Sequence, residues 1–240
     1  MSSPTVSRAA WHLRAGALVA GWLTALLVVT LVHPFIPAWD WLLVHLLVLG
    51  AASTAILIWS WHFTAAVLRM PDSVTRRGQV ARLAAFTGGA VTVVAGTMTG
   101  LWTLLLAGGF LVAATAGWHA WSLLRRLRRA LPSRFGVTVR FYIAAGFLLP
   151  LGVALGVAMG HGDLPDALHA RFLVAHALLG WIGLTVIGTL VTLWPTMLRT
   201  RIADHAERTA RQILPVLLVG LGMAAGGALS GLLLLTAGGL

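Results

Sequence analysis

The chain has 240 residues, of which 59% are apolar and 10% charged, and its mean hydropathy is +0.91. So little polar side chain cannot cover one water-soluble core, and the composition predicts a polytopic membrane protein. The formal charge of +11 comes from 17 arginines that cluster between apolar stretches instead of lining one helix face, which argues against nucleic acid as a partner, and the absence of Cys excludes disulfides, thiolate metal sites and thiol nucleophiles.

Seven apolar segments follow in chain order, at 15–33, 39–68, 80–100, 102–124, 137–160, 168–197 and 213–235. Each supplies the about 20 residues that cross about 30 Å of hydrocarbon. The fold class they predict is an all-α transmembrane helix bundle in the lipid bilayer. The first segment starts behind Arg8 and Arg14, with no small-residue cleavage site after it, and reads as a retained signal anchor.

Sixteen of the arginines fall at the N-terminus or around 69–82, 125–140 and 199–211, which share one side if seven helices alternate; Arg171 alone lies towards the other. The positive-inside rule makes the arginine side cytoplasmic, which predicts a multi-pass protein of the cell membrane with its N-terminus inside. His33, Asp40, His161, Asp163, Asp166 and His169 are then outside. Trp39, Trp41 and Trp102 sit at the outer boundary and Trp11, Trp59, Trp61, Trp118, Trp121 and Trp194 towards the inner one, as interfacial anchors do.

Small residues predict where helices meet. Gly152, Gly156 and Gly160 repeat every four positions, as do Gly96 with Gly100 and Gly222 with Gly226, and this spacing permits close backbone contact. The stretch 213–240 has two readings: one helix to 235, or a seventh that ends at Gly226, Gly227 and Gly231 with Leu232 to Leu235 beginning an eighth. The chain stops at Leu240 without a polar tail, so the expectation is a domain cut from a longer polypeptide.

An internal repeat organises the segments. Arg14, His33, His45, Gly50 and Arg69 recur in order as Arg140, His161, His176, Gly180 and Arg199, at offsets of 126, 128, 131, 130 and 130. The expected layout is a cytoplasmic N-terminus at 1–14, a first four-helix repeat at 15–135 and a second, incomplete one at 136–240. At about 1.5 Å per residue, His45 lies roughly 9 Å, and His176 roughly 12 Å, down their helices from the outer end. Imidazole is costly at that depth unless it is bonded. Two readings stand side by side: a hydrogen bond between helices, for which Ser53, Thr54 and Thr185 are near in sequence, or ligation of haem iron or copper, with Gly50 and Gly180 clearing a turn for a flat macrocycle.

The remaining histidines carry less. His33, His161 and His169 would add a metal site at the outer surface. His62 and His119 are expected at the cytoplasmic interface with water or headgroup partners, and His12 and His205 in cytoplasmic segments. All six acids, Asp40, Asp72, Asp163, Asp166, Asp204 and Glu207, fall in loops or at helix ends, so no carboxylate relay crosses the bilayer. Phosphate loops, HExxH pairs and Ser/His/Asp constellations are absent from the sequence.

The runs LLVHLLVLGAASTAILIWSWHFTAAVLR, 42–69, and HALLGWIGLTVIGTLVTLWPTMLRTR, 176–201, resemble the N-terminal membrane region of actinobacterial multicopper oxidase or copper nitrite-reductase-like proteins. More distantly, the pattern is similar to haem-copper oxidase subunit I and to NnrS-type haem and copper membrane proteins. The resemblance implies a haem-copper oxidase-like fold with a four-helix period, His45 as a ligand of b-type haem, and His176 as its partner or as a copper ligand. It also implies electron transfer to an outward-facing cupredoxin-type domain or another electron-transfer protein. The stretch after His176, Ala177 to Gly180, lacks the Pro, Glu and Tyr of an oxygen-reducing site, and no adjacent His pair follows. The competing readings are a cofactor-free membrane anchor and a transporter of small molecules or metals.

Overall fold

The computed structural model describes residues 8–70, 76–133, 135–162, 180–201, 203–230 and 237–239. Among them are seven helices long and apolar enough to cross a membrane, so the chain is an all-α polytopic bundle. They are α1 (Arg8–Val32), α2 (Trp39–Val67), α3 (Arg76–Thr99), α4 (Trp102–Arg129), α5 (Gly136–His161), α6 (Leu184–Met197, whose spanning length includes the π-helical residues from Gly180) and α7 (Ala206–Ser230). Asp72, His169, His176, Asp163, Asp166, Arg171 and Leu232 to Leu235 lie outside the described residues, as does the first part of the segment expected at 168–197.

Three helices reach five or more residues past the limits their hydropathy sets. α1 begins at Arg8 instead of 15, α4 continues to Arg129 instead of 124, and α7 begins at Ala206 instead of 213. Arginine has good helix propensity, and its long stem lets the guanidinium stay wet while the backbone remains helical. The α3–α4 and α4–α5 pairs make the most extensive contacts in the bundle, whereas α1 buries only Ala15 among its described side chains and leans mainly on α2.

α2 is not uniform. It is α-helical over Trp39–His45, π-helical over Leu46–Ala52 and α-helical again over Ser53–Val67. Residues 180–183, ahead of α6, are π-helical too, and they stand 131 positions after 49–52. The ends of α2 and α6 also repeat each other. Arg69 (φ 53°) and Arg199 (φ 52°) are both left-handed. Met70 N–H donates to Ala65 O and Arg69 N–H to Ala66 O, as Thr200 N–H does to Pro195 O and Arg199 N–H to Thr196 O, a helix-ending motif copied at an offset of 130.

The close backbone contacts follow the same period. A Cβ placed on Gly108 of α4 would lie 2.6 Å from Val93 N and 2.8 Å from Gly89 O of α3. One on Gly239 would collide with Ala224 N and Gly220 O, the same three positions moved by 131. Gly96 approaches Leu105 N, as its spacing predicts, but Gly100 is a left-handed turn residue (φ 67°), and neither Gly222 nor Gly226 has a neighbour within 4 Å among the described residues. Spacing alone does not say which face of a helix meets a partner, and here the contact faces carry Gly89, Gly108 and Gly220.

Gly108→Ala is therefore expected to destabilise the bundle by about 1–3 kcal/mol through overpacking. Gly117→Ala, on the same helix but open on the side its Cβ would take, is expected to be neutral or slightly stabilising, and unfolding midpoints in mixed micelles compare the two. For topology, cysteines placed at Leu101 and Leu131, which are 51% and 86% exposed at opposite ends of α4, are expected to label from opposite faces of the membrane.

Candidate functional site

His45 closes the α-helical part of α2, immediately before the π-helical turn. Its ring stacks on Trp41, with centroids 3.8 Å apart and planes 18° from parallel, and its Nδ1 lies 2.8 Å from Trp41 O. A carbonyl can only accept, so this bond puts the proton on Nδ1 and leaves the lone pair on Nε2. A ring nitrogen held by a backbone carbonyl with the other left basic is how metal-binding histidines are oriented.

The space beside His45 is a cavity of about 230 Å³. Trp41, His45 and Val48 of α2, Val93 and Thr97 of α3, Leu105 and Val112 of α4, and Trp181 ahead of α6 line it. Its α5 wall is Leu149, Val153, Val157 and Met159 together with Gly152, Gly156 and Gly160. Gly156 and Gly160 are exposed, so the cavity opens to the bundle surface there. A Cβ on Gly156 would meet nothing within 4 Å, whereas one on Gly160 would lie 2.6 Å from Leu105 Cδ2 of α4, so the glycine face both packs on α4, as its spacing predicts, and walls this cavity. The Met159 thioether, 6% exposed, is a soft donor that the sequence reading passed over. Hydropathy gave no cue to it, since methionine is apolar by that measure.

No family model, curated protein or solved structure matches this chain.

Two expectations about the surroundings of His45 are corrected. Gly50 clears no turn for a macrocycle, because the Trp22 ring of α1 fills that side and would lie 2.6 Å from a Cβ. Gly180 has Leu148 at 3.5 Å, an ordinary contact. The three hydroxyls near in sequence do not serve His45 either. Ser53 Oγ accepts from Trp181 Nε1 at 2.9 Å and donates to Val48 O at 2.7 Å, and Thr185 Oγ1 donates to Trp181 O at 2.8 Å. Val48 O is one of the carbonyls that the π-helical turn displaces from its usual partner, so Ser53 both stabilises the turn and ties it to the residues ahead of α6. Ser53→Ala is expected to cost about 0.6–2 kcal/mol of stability, measured by the same unfolding assay.

The other candidates are separate. His33 packs against Trp39 at 4.8 Å and His161 against Trp102 at 4.3 Å. Among the described residues there is no group of three or more His, Asp or Glu able to hold a metal ion, and His169 and His176 fall outside them. His119 does not take the water or headgroup partner expected of it: it is 1% exposed, and its Nε2 lies 2.9 Å from Ser60 Oγ. It belongs to a buried polar cluster between α2, α3 and α4. There Arg82 sits 4.2 Å and Arg126 3.7 Å from the Trp61 ring, and Arg82 Nη1 donates to Ser122 Oγ at 3.2 Å. His62 is half-buried, with its ring 4.8 Å from that of His12.

Proposed function

We propose that the chain is a haem-binding membrane domain that passes electrons to a copper-oxidase-type domain or another electron-transfer protein, with Nε2 of His45 as an axial ligand and His176, its counterpart in the repeat, as the second. The observation that carries this reading is the orientation of His45: Nδ1 is committed to Trp41 O, the ring is clamped on Trp41, and the residue lines an apolar cavity. The donor chemistry fits haem iron. The volume of 230 Å³ is below the about 300–1,000 Å³ of ligand sites, but Gly156, exposed and with nothing within 4 Å of its missing Cβ, leaves an opening in the α5 wall through which a flat group could extend outwards. A haem would supply a one-electron carrier there.

The residues around it would do the rest. Trp41 and Trp181 exclude water, the Trp41 carbonyl holds the imidazole in one tautomer, and the π-helical turn fixes where α2 presents it. The clustering of arginines on alternate connections supports, by the positive-inside rule, a plasma-membrane domain with its N-terminus in the cytoplasm, which would turn His45 and a redox partner towards the outer face.

A second reading is favoured by Met159 and by the small volume. Imidazole and thioether together suit Cu(I), which needs far less room than a porphyrin. Haem and copper per chain in the protein purified from cells supplied with both separate the two. About one haem and little copper supports the first, and about one copper without haem supports the second. Neither, in a folded protein, leaves a cofactor-free anchor.

A further inference from the structure

A larger cavity, of about 960 Å³, lies at the arginine-rich end of the bundle, between the end of α2, the α4–α5 connection and the end of α6. Its walls include Phe63, Val67, Leu193 and Thr196. Thr196 Oγ1 is spent on Thr192 O of its own helix at 2.9 Å, so this hydroxyl offers little to a ligand. The connection is tied down by Ser133 Oγ donating to Val67 O at 3.0 Å. Arg69 and Arg129, both exposed, sit at the rim, and no acid lines the cavity among the described residues.

Two guanidiniums over an apolar hollow, at the membrane end that already carries the positive charge, complement a ligand with an anionic head and a hydrocarbon tail. We infer that this cavity is a site for an anionic phospholipid, its phosphate held by Arg69 and Arg129 and its acyl chains lying along Phe63, Val67 and Leu193. The volume is at the upper end of the about 300–1,000 Å³ range of ligand cavities, and basic pockets between membrane helices bind anionic headgroups. The left-handed conformation of Arg69, fixed by the hydrogen bonds of Arg69 and Met70 to Ala66 O and Ala65 O, sets where its side chain leaves the helix end. Arg199 has the same backbone geometry in the second repeat but does not line the cavity, which makes it an internal control.

The full chain is exchanged into vesicles of equal phosphatidylglycerol and phosphatidylcholine, extracted, and its retained lipid counted by native mass spectrometry. Phosphatidylglycerol is expected to be retained over phosphatidylcholine by about tenfold or more. Arg69→Gln with Arg129→Gln should bring the two lipids near parity, each single variant should lower the preference by about threefold, and Arg199→Gln should leave it unchanged. Equal retention of the two lipids by the native chain would overturn the inference. So would a preference that survives the double variant, or displacement of the lipid by millimolar inorganic phosphate, which would mark a free-anion site needing no acyl chains.

Discussion

Replacing His45 by glycine is expected to remove the bound haem, and adding imidazole to the purified variant with haem is expected to restore part of it. The ring is held at one nitrogen by Trp41 O and on one face by Trp41 itself, so its loss removes the donor without removing a link between helices. Free imidazole can occupy the vacated volume beside Trp41 and present a nitrogen to the iron, although without the tether its effective concentration is far lower. Haem content should fall by about tenfold or more in the variant, since one axial bond to iron is lost from a site whose other contacts are apolar. His62→Ala is expected to leave haem unchanged, because His62 packs on His12 and lines only the cavity at the other end of α2. Absorbance of equal amounts of folded protein checks all three. An unchanged haem band in the glycine variant would remove His45 from the site.

Trp61→Ala is expected to be the most destabilising single change in the bundle. Trp61 is 3% exposed, and its ring lies within 4.2 Å of the Arg82 guanidinium and 3.7 Å of that of Arg126. Truncating a buried tryptophan costs about 3–5 kcal/mol in protein cores. Two neighbouring cations would also lose the aromatic face that attracts both of them, worth about 2 kcal/mol for a desolvated contact. Trp61→Phe keeps a ring and should lose about half as much. Trp121→Ala is the control: Trp121 is 43% exposed, with Arg125 5.5 Å away, so about 1 kcal/mol or less is expected. Unfolding midpoints in mixed micelles order the three variants, and equal losses at Trp61 and Trp121 would show that the arginines do not depend on the buried ring.

The helices were legible in the sequence because about 20 apolar residues in a row admit few other structures, and the breaks at Pro34, Gly100 and Gly162 are strong. Their ends were less so, since arginine both extends a helix and stops a hydropathy count. The periodic recurrence of His45, Gly50 and Arg69 could be read directly, but the backbone features that share the period could not. A π-helical turn over Leu46–Ala52 and left-handed residues at Arg69 and Arg199 have no composition signal of their own. Which side of a glycine meets what was also hidden. Gly50 is filled by Trp22 from a helix more than 20 residues away, and Gly156 opens on a cavity. The Arg82, Arg126 and Trp61 cluster was concealed by counting Arg82 and Arg126 with the loop arginines. A clue was present in Arg82 itself, which falls within the apolar segment expected at 80–100.

A redox-active haem on His45 is read from the reduced-minus-oxidised visible spectrum of the chain purified from haem-supplied membranes. Sharp reducible bands of a b-type haem, from about one haem per chain, are expected in protein whose circular dichroism is strongly helical. A helical, stable preparation with no such bands, which takes up no added haem, would contradict haem ligation by His45.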